Sequence, residues 1–306
     1  MTAAVEFDVW GSRGSRNLIP ARSAIGNRTS CYSLLAGDEL LIFDAGSGLA
    51  ALGHAMRTEK RFRKVRRVHL FVSHAHMDHW EGLKDVEWFW SKDVPVDVKL
   101  YGSKETVRAI EGAFRPPRYV PLERLASAAA SHFEVVTRKA GDQWAAGRFR
   151  ARAFHLHHYS GDSARPRRLA TLGYAVTLNG GPGVAYLSDH EPTARTAGVE
   201  ARAGREANLM VLDAHFPDRR DHAFGHGSQE HAASLAAGNP KTLVLAGHLA
   251  PSLSDERLEE ARLRHGGKLS NLALAVEGRT WGWDAARGRF VAGARPKKAA
   301  VKRSAG

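Results

Sequence analysis

Short apolar runs recur along this 306-residue chain at spacings that predict alternating strands and helices. Runs of β-type composition lie at residues 5–10, 39–43, 68–73, 96–101, 133–137, 149–156, 172–178, 184–187, 209–212, 243–245 and 272–276. Helical periodicity falls between some of them, at 49–61, 104–113, 228–237 and 254–264. The last of these opens Ser254-Asp255-Glu256-Arg257, an N-cap serine followed by early acids. Many short strands, with helices interspersed and gathering later, predict two sheets packed face to face with helices outside. No repeat of 20–50 residues is present, and the only low-complexity segment is the C-terminal one.

The densest chemical feature sits at the end of the run 68–73. His74-Ala75-His76-Met77-Asp78-His79 packs three imidazoles and a carboxylate into six residues, a pattern that points to metal ligation. A strand alone would place His74, His76 and Asp78 on one face and His79 on the other, so a loop that turns at Asp78-His79 is expected. Three further apolar runs end in ligand-type residues: Phe154-His155-Leu156-His157-His158-Tyr159, Leu187-Ser188-Asp189-His190 and Leu245-Ala246-Gly247-His248. A two-metal centre needs about seven protein ligands, more than one loop supplies, and these strand ends are where the rest are sought.

Composition narrows the setting. At 43% hydrophobic and 25% charged the chain has ordinary globular composition, and no window approaches 18 uninterrupted apolar residues. The first ten residues carry neither a basic nor a long apolar segment, and the single cysteine, Cys31, cannot pair within the chain. A cytoplasmic protein with no membrane span is expected, with His, Asp and Glu as metal ligands. Net charge is +13, which favours polyanions and phosphate esters as partners. Five cations and no acid fall in residues 295–306, read as a disordered basic tail, either simply solvated or making weak nucleic-acid contact.

Taken together, these motifs resemble the metallo-β-lactamase superfamily, and within it the ribonuclease Z-like and cyclic phosphodiesterase-like branch. The N-terminal segments Trp10-Gly11-Ser12-Arg13-Gly14-Ser15, Gly26-Asn27-Arg28-Thr29-Ser30-Cys31 and Leu41-Ile42-Phe43-Asp44-Ala45-Gly46-Ser47-Gly48 carry the resemblance, with Arg28 interrupting the second. It implies an α/β (α+β) fold, a four-layer αββα sandwich forming one domain over residues 1–294, with metals at the sheet ends. It implies two divalent ions, zinc foremost, with manganese or iron as alternatives. His74, His76, His158 and Asp189 would hold the first, and Asp78, His79, His248 and the bridging Asp189 the second. Strand alternation does not choose between His157 and His158, and the resemblance selects His158. It casts Asp44 as an orienting residue outside the ligand set, and Asp213 with His226 as an acid and a proton-donating histidine.

The expected activity is hydrolysis of a small phosphodiester, a cyclic nucleotide or cyclic phosphate. A hydroxide held between two ions would attack phosphorus, Asp78 would orient it, and His226 would protonate the leaving oxygen. Only 31 positions separate His158 from Asp189, too few for the protruding arm of tRNA-processing members. Trp88-Phe89-Trp90 is read as core or lid packing, with a stacking wall as the alternative, and Arg13 and Arg16 as turn residues or phosphate contacts. Rival readings are a carboxylic ester, thioester, lactone or β-lactam hydrolase on the same fold, and a nucleotide sensor without turnover. The oligomer is left open, a homodimer included.

Overall fold

The computed structural model describes residues 4–18, 23–86, 88, 92, 95–160, 165–221 and 225–293. Phe89, Trp90, His222 and the basic segment 295–306 lie outside the described residues.

Six strands from the first half of the chain lie side by side: β1 (Val5–Gly11), β2 (Cys31–Ala36), β3 (Glu39–Phe43), β4 (Arg67–Phe71), β5 (Asp97–Gly102) and β6 (His132–Thr137). The pairs β3–β4, β4–β5 and β5–β6 are parallel, so their carboxyl ends share one rim. The second sheet is built from β7 (Gln143–Ala146), β8 (Phe149–His155), β11 (Leu172–Leu178), β12 (Gly183–Leu187), β13 (Leu209–Asp213), β14 (Leu243–Gly247) and β15 (Leu272–Leu274). Between β8 and β11 a small ribbon pairs β9 (Tyr159–Ser160) with β10 (Arg167–Arg168). The chain then returns to the first sheet, where β16 (Thr280–Asp284) pairs with β1 and β17 (Arg289–Ala292) forms the edge.

Three separate apolar clusters define the layers. The first joins Leu40, Ile42, Leu70 and Leu100 of the first sheet to helices α1 (Gly48–Thr58), α2 (Lys104–Ala113) and α3 (Leu122–Ala128). The second lies between the sheets, where Phe7, Tyr32, Phe43 and Phe71 meet Tyr174, Val176, Tyr186 and Val211. The third packs Leu187, Met210, Leu212 and Val244 against α4 (Ala197–Glu206), α5 (Gln229–Gly238) and α6 (Asp255–Gly266). Alternate side chains of each strand thus enter different layers, which produces the expected four-layer αββα sandwich.

The predicted runs correspond to strands, with β2, β7, β9, β10, β16 and β17 additional, and α3 and α4 are additional helices. The helix expected over 49–61 ends at Thr58, after which Lys60–Phe62 forms a 3-10 turn. Ser254 caps α6 as expected, accepting from the amide of Arg257. Trp88 is buried in the first apolar cluster, which makes it core.

Candidate metal centre

The parallel strands set their last residues level. Leu187 of β12 aligns with Leu212 of β13, which aligns with Ala246 of β14, so the loops that follow open onto one rim. Phe43 and Phe71 are likewise paired at the ends of β3 and β4. Three polar residues just past these ends adopt left-handed backbone: Asp44 (φ 56°), Asp189 (φ 50°) and His248 (φ 48°). For a side chain bearing Cβ this conformation costs about 1–3 kcal/mol and persists where surrounding packing enforces it. Each reversal turns the chain abruptly at the sheet edge, where the side chains converge.

The hexapeptide after β4 folds as the sequence requires. His76 is extended, Met77–His79 makes a 3-10 turn, and His79 swings back to the protein interior while Met77 is exposed. His74, His76, His158 and Asp189 bring one ligand atom each to within 4.8 Å of one another, and Asp78, His79 and His248 form a second such group. Asp189 lies between them: its Oδ2 is 3.6 Å from Nε2 of both His74 and His158, and its Oδ1 is 3.1 Å from His79 Nε2 and 2.8 Å from His248 Nδ1. His158 Nε2 stands 3.2 Å from His76 Nδ1, while its Nδ1 donates to the Gly225 carbonyl at 2.9 Å. His157 is outside the group; its Nδ1 lies 2.8 Å from the Arg168 guanidinium.

The donor set fits divalent cations. Nε2 of His74, His79 and His248 is buried without a hydrogen-bond partner, an arrangement that leaves lone pairs unsatisfied unless something electrophilic fills the space. Imidazole and carboxylate together suit zinc-type ions.

Around this core the remaining groups act as buttresses. Asp44 lies outside both ligand groups; its Oδ2 receives His79 Nδ1 (2.6 Å), Tyr186 Oη (2.6 Å) and Ser73 Oγ (2.9 Å), and its Oδ1 the Ser73 amide (2.7 Å). His79 is thereby held by one nitrogen with the other facing Asp78 and Asp189. Asp78 accepts from the Ser15 amide at 2.8 Å. Burial alone would raise its pKa, but the adjoining His79 outweighs this and holds it below the usual carboxylate range.

Asp213 and His226 pair at 2.8 Å through His226 Nδ1. Burial disfavours the imidazolium, yet the Asp213 charge prevails and lifts His226 to about 9, whereas burial pushes His158 down to about 4. The His226 ring lies 4.9 Å from those of both His158 and His248, beside the ligand groups.

Several site residues escaped the sequence reading. His215 stacks on His226 at 4.5 Å and hydrogen-bonds the His248 carbonyl through Nδ1; its position two residues after Asp213 was the available signal. His190 receives the His157 amide on Nδ1, donates its own amide to Asp213, and meets Glu200 through Nε2 (2.8 Å), which also holds His231 (2.7 Å). That buried network ties α4 and α5 to the loops carrying Asp189 and His158. Arg13 is no phosphate contact: it is fully buried, bonded to the Gly26 carbonyl, Ser23 and Asp255. Arg16 is exposed, as is His132, and His69 is buried against Tyr101.

A family model described as a beta-lactamase superfamily domain matches residues 40–249, and the chain belongs to the metallo-β-lactamase superfamily, a superfamily of metal-dependent hydrolases. Its fold is similar to that of the metallo-β-lactamase fold protein YhfI from Bacillus subtilis (TM-score 0.66, 17% identity, covering 92% of this chain and 100% of that one). It is also similar to a diphosphatase of the PhnP family (0.62, 17%, 92% and 98%) and to the short form of human tRNase Z (0.55, 18%, 95% and 100%). At these identities the likeness is one of fold. No curated protein matches the chain. Among the described residues no helix is long and apolar enough to cross a membrane.

Proposed function

We propose that this protein is a dinuclear metallo-phosphodiesterase acting on a small phosphodiester. His74, His76, His158 and Asp189 would hold one ion and Asp78, His79, His248 and Asp189 the other, zinc being the best match to the donors. Bound there, divalent ions supply a nucleophile at neutral pH by lowering the pKa of water, and neutralise charge on phosphorus.

The observation that carries the reading is the His226–Asp213 pair beside the two ligand groups. With Nδ1 committed to Asp213, His226 keeps Nε2–H to give away, the arrangement an alkoxide leaving group needs. Asp78, fixed by the Ser15 amide, orients the attacking water and takes its proton. A bond forms from that oxygen to phosphorus, the bond to the leaving oxygen breaks, and His226 Nε2 supplies that oxygen's proton. Names borne by similar folds, a diphosphatase and a tRNase, support a phosphorus-centred reaction.

The test is hydrolysis of bis(p-nitrophenyl) phosphate beside a lactone and a β-lactam, with stripped protein reloaded with zinc or manganese and Asp78→Ala as control. Metal-dependent release of p-nitrophenol, lost in the control, is expected. Cleavage of the carbon esters alone would move the protein to the rival hydrolase class, and no turnover in loaded protein would overturn the enzymatic reading.

A further inference from the structure

A groove of about 1350 Å³ opens from His76 and Ala75, and His226 is not among the residues that line it. Its volume exceeds the roughly 300–1,000 Å³ of a typical small-ligand pocket. Three elements distant in sequence line it: the start of α2, the segment after β6, and the ribbon strand β10. Among the described residues they contribute six cations, Lys104, Arg108, Arg138, Lys139, Arg167 and Arg168, against one carboxylate, Glu105. Glu105 is already engaged, by Arg167 at 2.7 Å and by the amide of Ala170 at 2.9 Å.

Lys104, Arg108 and Lys139 are exposed and have no ion-pair partner among the described residues. Their placement is unfavourable for the free protein. Lys104 is the first residue of α2, at the positive end of the helix dipole, and Arg108 sits one turn on at i+4, where like charges repel. An anion in the groove relieves both effects; the helix N-terminus itself is already capped, Ser103 Oγ accepting from the Thr106 amide. Arg138, whose Nε is buried without a hydrogen-bond partner, adds a cation held over the rings of Tyr101 and Trp144. Among the described residues no Phe, Tyr or Trp lines the groove and His155 is its one exposed imidazole, so charge dominates its recognition chemistry.

From this arrangement we infer that the substrate carries further phosphate groups beyond the scissile diester, seated along the groove by Lys104, Arg108 and Lys139. This rests on the phosphodiesterase reading and narrows it. A plain cyclic nucleotide, with its single phosphate at the centre, leaves the groove empty. A phosphorylated nucleotide ester or the end of a single-stranded oligonucleotide fills it.

The test compares three p-nitrophenyl esters on zinc-loaded protein: thymidine 5′-phosphate, its 3′-phosphorylated form, and a 5′-esterified oligothymidylate. The expected kcat/KM rises along the series. That gain shrinks roughly 2.5-fold for each engaged phosphate between 50 and 200 mM salt. Lys104→Glu/Arg108→Glu lowers the ratio of kcat/KM for phosphorylated over plain ester on the order of tenfold. A charge-matched control, Arg205→Glu/Lys241→Glu, removes the same charge at the opposite rim and leaves that ratio in place. If added phosphates bring no gain, or the ratio survives the Lys104/Arg108 swap, the inference is overturned while the phosphodiesterase reading stands. A gain confined to the oligonucleotide identifies nucleic acid as the source of the phosphates; a full gain with one extra phosphate identifies a small molecule. Should none of the esters turn over, fluorescence anisotropy of a labelled oligothymidylate separates the two ideas. Binding lost in the double variant keeps the groove assignment and sinks the enzymatic one, and no binding sinks both.

Discussion

The two sheets build the candidate centre in opposite ways. The first sheet delivers four of the seven candidate ligands, His74, His76, Asp78 and His79, from one loop after β4. The second delivers one at a time, His158 after β8, Asp189 after β12 and His248 after β14, with Asp213 and His226 flanking. The first contribution is a local property, since a six-residue turn fixes its own geometry. The second exists only if three strands pair in register and three loops reverse at the rim. A one-residue slip would carry every side chain to the other face. The centre is therefore encoded locally on one side and by tertiary structure on the other, and Asp189 joins the two.

Asp189→Ala breaks that junction and carries the largest expected effect. Both ligand groups lose their shared carboxylate, so bound metal, read by elemental analysis, should fall from two ions to one or none and phosphodiester cleavage should drop below detection. In the wild type, loading gives the unpartnered nitrogens of His74, His79 and His248 a partner, and metal at a thousandfold its Kd should stabilise the fold by about 4 kcal/mol. Thermal melts with and without metal check this; an unchanged melting temperature on loading would count against a site here.

His226→Ala comes next, because it removes the proposed proton donor and leaves the candidate ligands in place. A fall in kcat of about 10²–10⁴-fold with metal content retained is expected on substrates with poor leaving groups. The loss should shrink for p-nitrophenyl esters, whose leaving oxygen needs little protonation. Equal losses on both substrates would reassign His226 to a positioning role.

Gly225→Ala tests the tertiary half specifically. Gly225 has φ +80°, and an added Cβ would lie 2.5 Å from His158 Nδ1, the nitrogen held by the Gly225 carbonyl. Displacing that ring should weaken the affinity of the first ion on the order of 10–100-fold, the range for losing a ligand's supporting contact. The second ion should be less affected. Metal titration by calorimetry resolves the two steps, and equal weakening would mean that the groups act as one.

The same division explains what was legible in the sequence. The hexapeptide, and the strand ends at Asp189 and His248, could be read because each follows an apolar run. His157 and His158 could not be told apart by alternation, because β8 ends at His155 and the residues beyond it do not follow the strand's period. β2 was missed because Cys31–Ala36, although buried throughout, has a serine at 33 inside its apolar run and no β-branched residue to mark it as a strand. α4 was missed because glycines at 198 and 204 depress its helix propensity, and α3 because seven residues carry little periodicity. His215 and the basic groove were out of reach for a different reason. Their meaning comes from neighbours dozens of residues away.

Tyr186→Phe is the mildest change and the sharpest probe of how the halves communicate. Tyr186, on β12 of the second sheet, donates across the interface to Asp44 Oδ2, which in turn receives His79 from the loop of the first. Deleting one oxygen leaves the ring's packing against Tyr32 and Phe43 intact. It strands no polar group, because Oδ2 keeps His79 Nδ1 and Ser73 Oγ. The loss should therefore be that of one hydrogen bond to a charged acceptor, about 1.5–3 kcal/mol, visible as a lower denaturant midpoint at unchanged slope. If the bond also sets the angle of His79, affinity at the second ligand group falls with it while the first keeps its metal. A variant that is destabilised yet binds both ions as before would show that the sheets share stability but that the local loop orients His79 on its own.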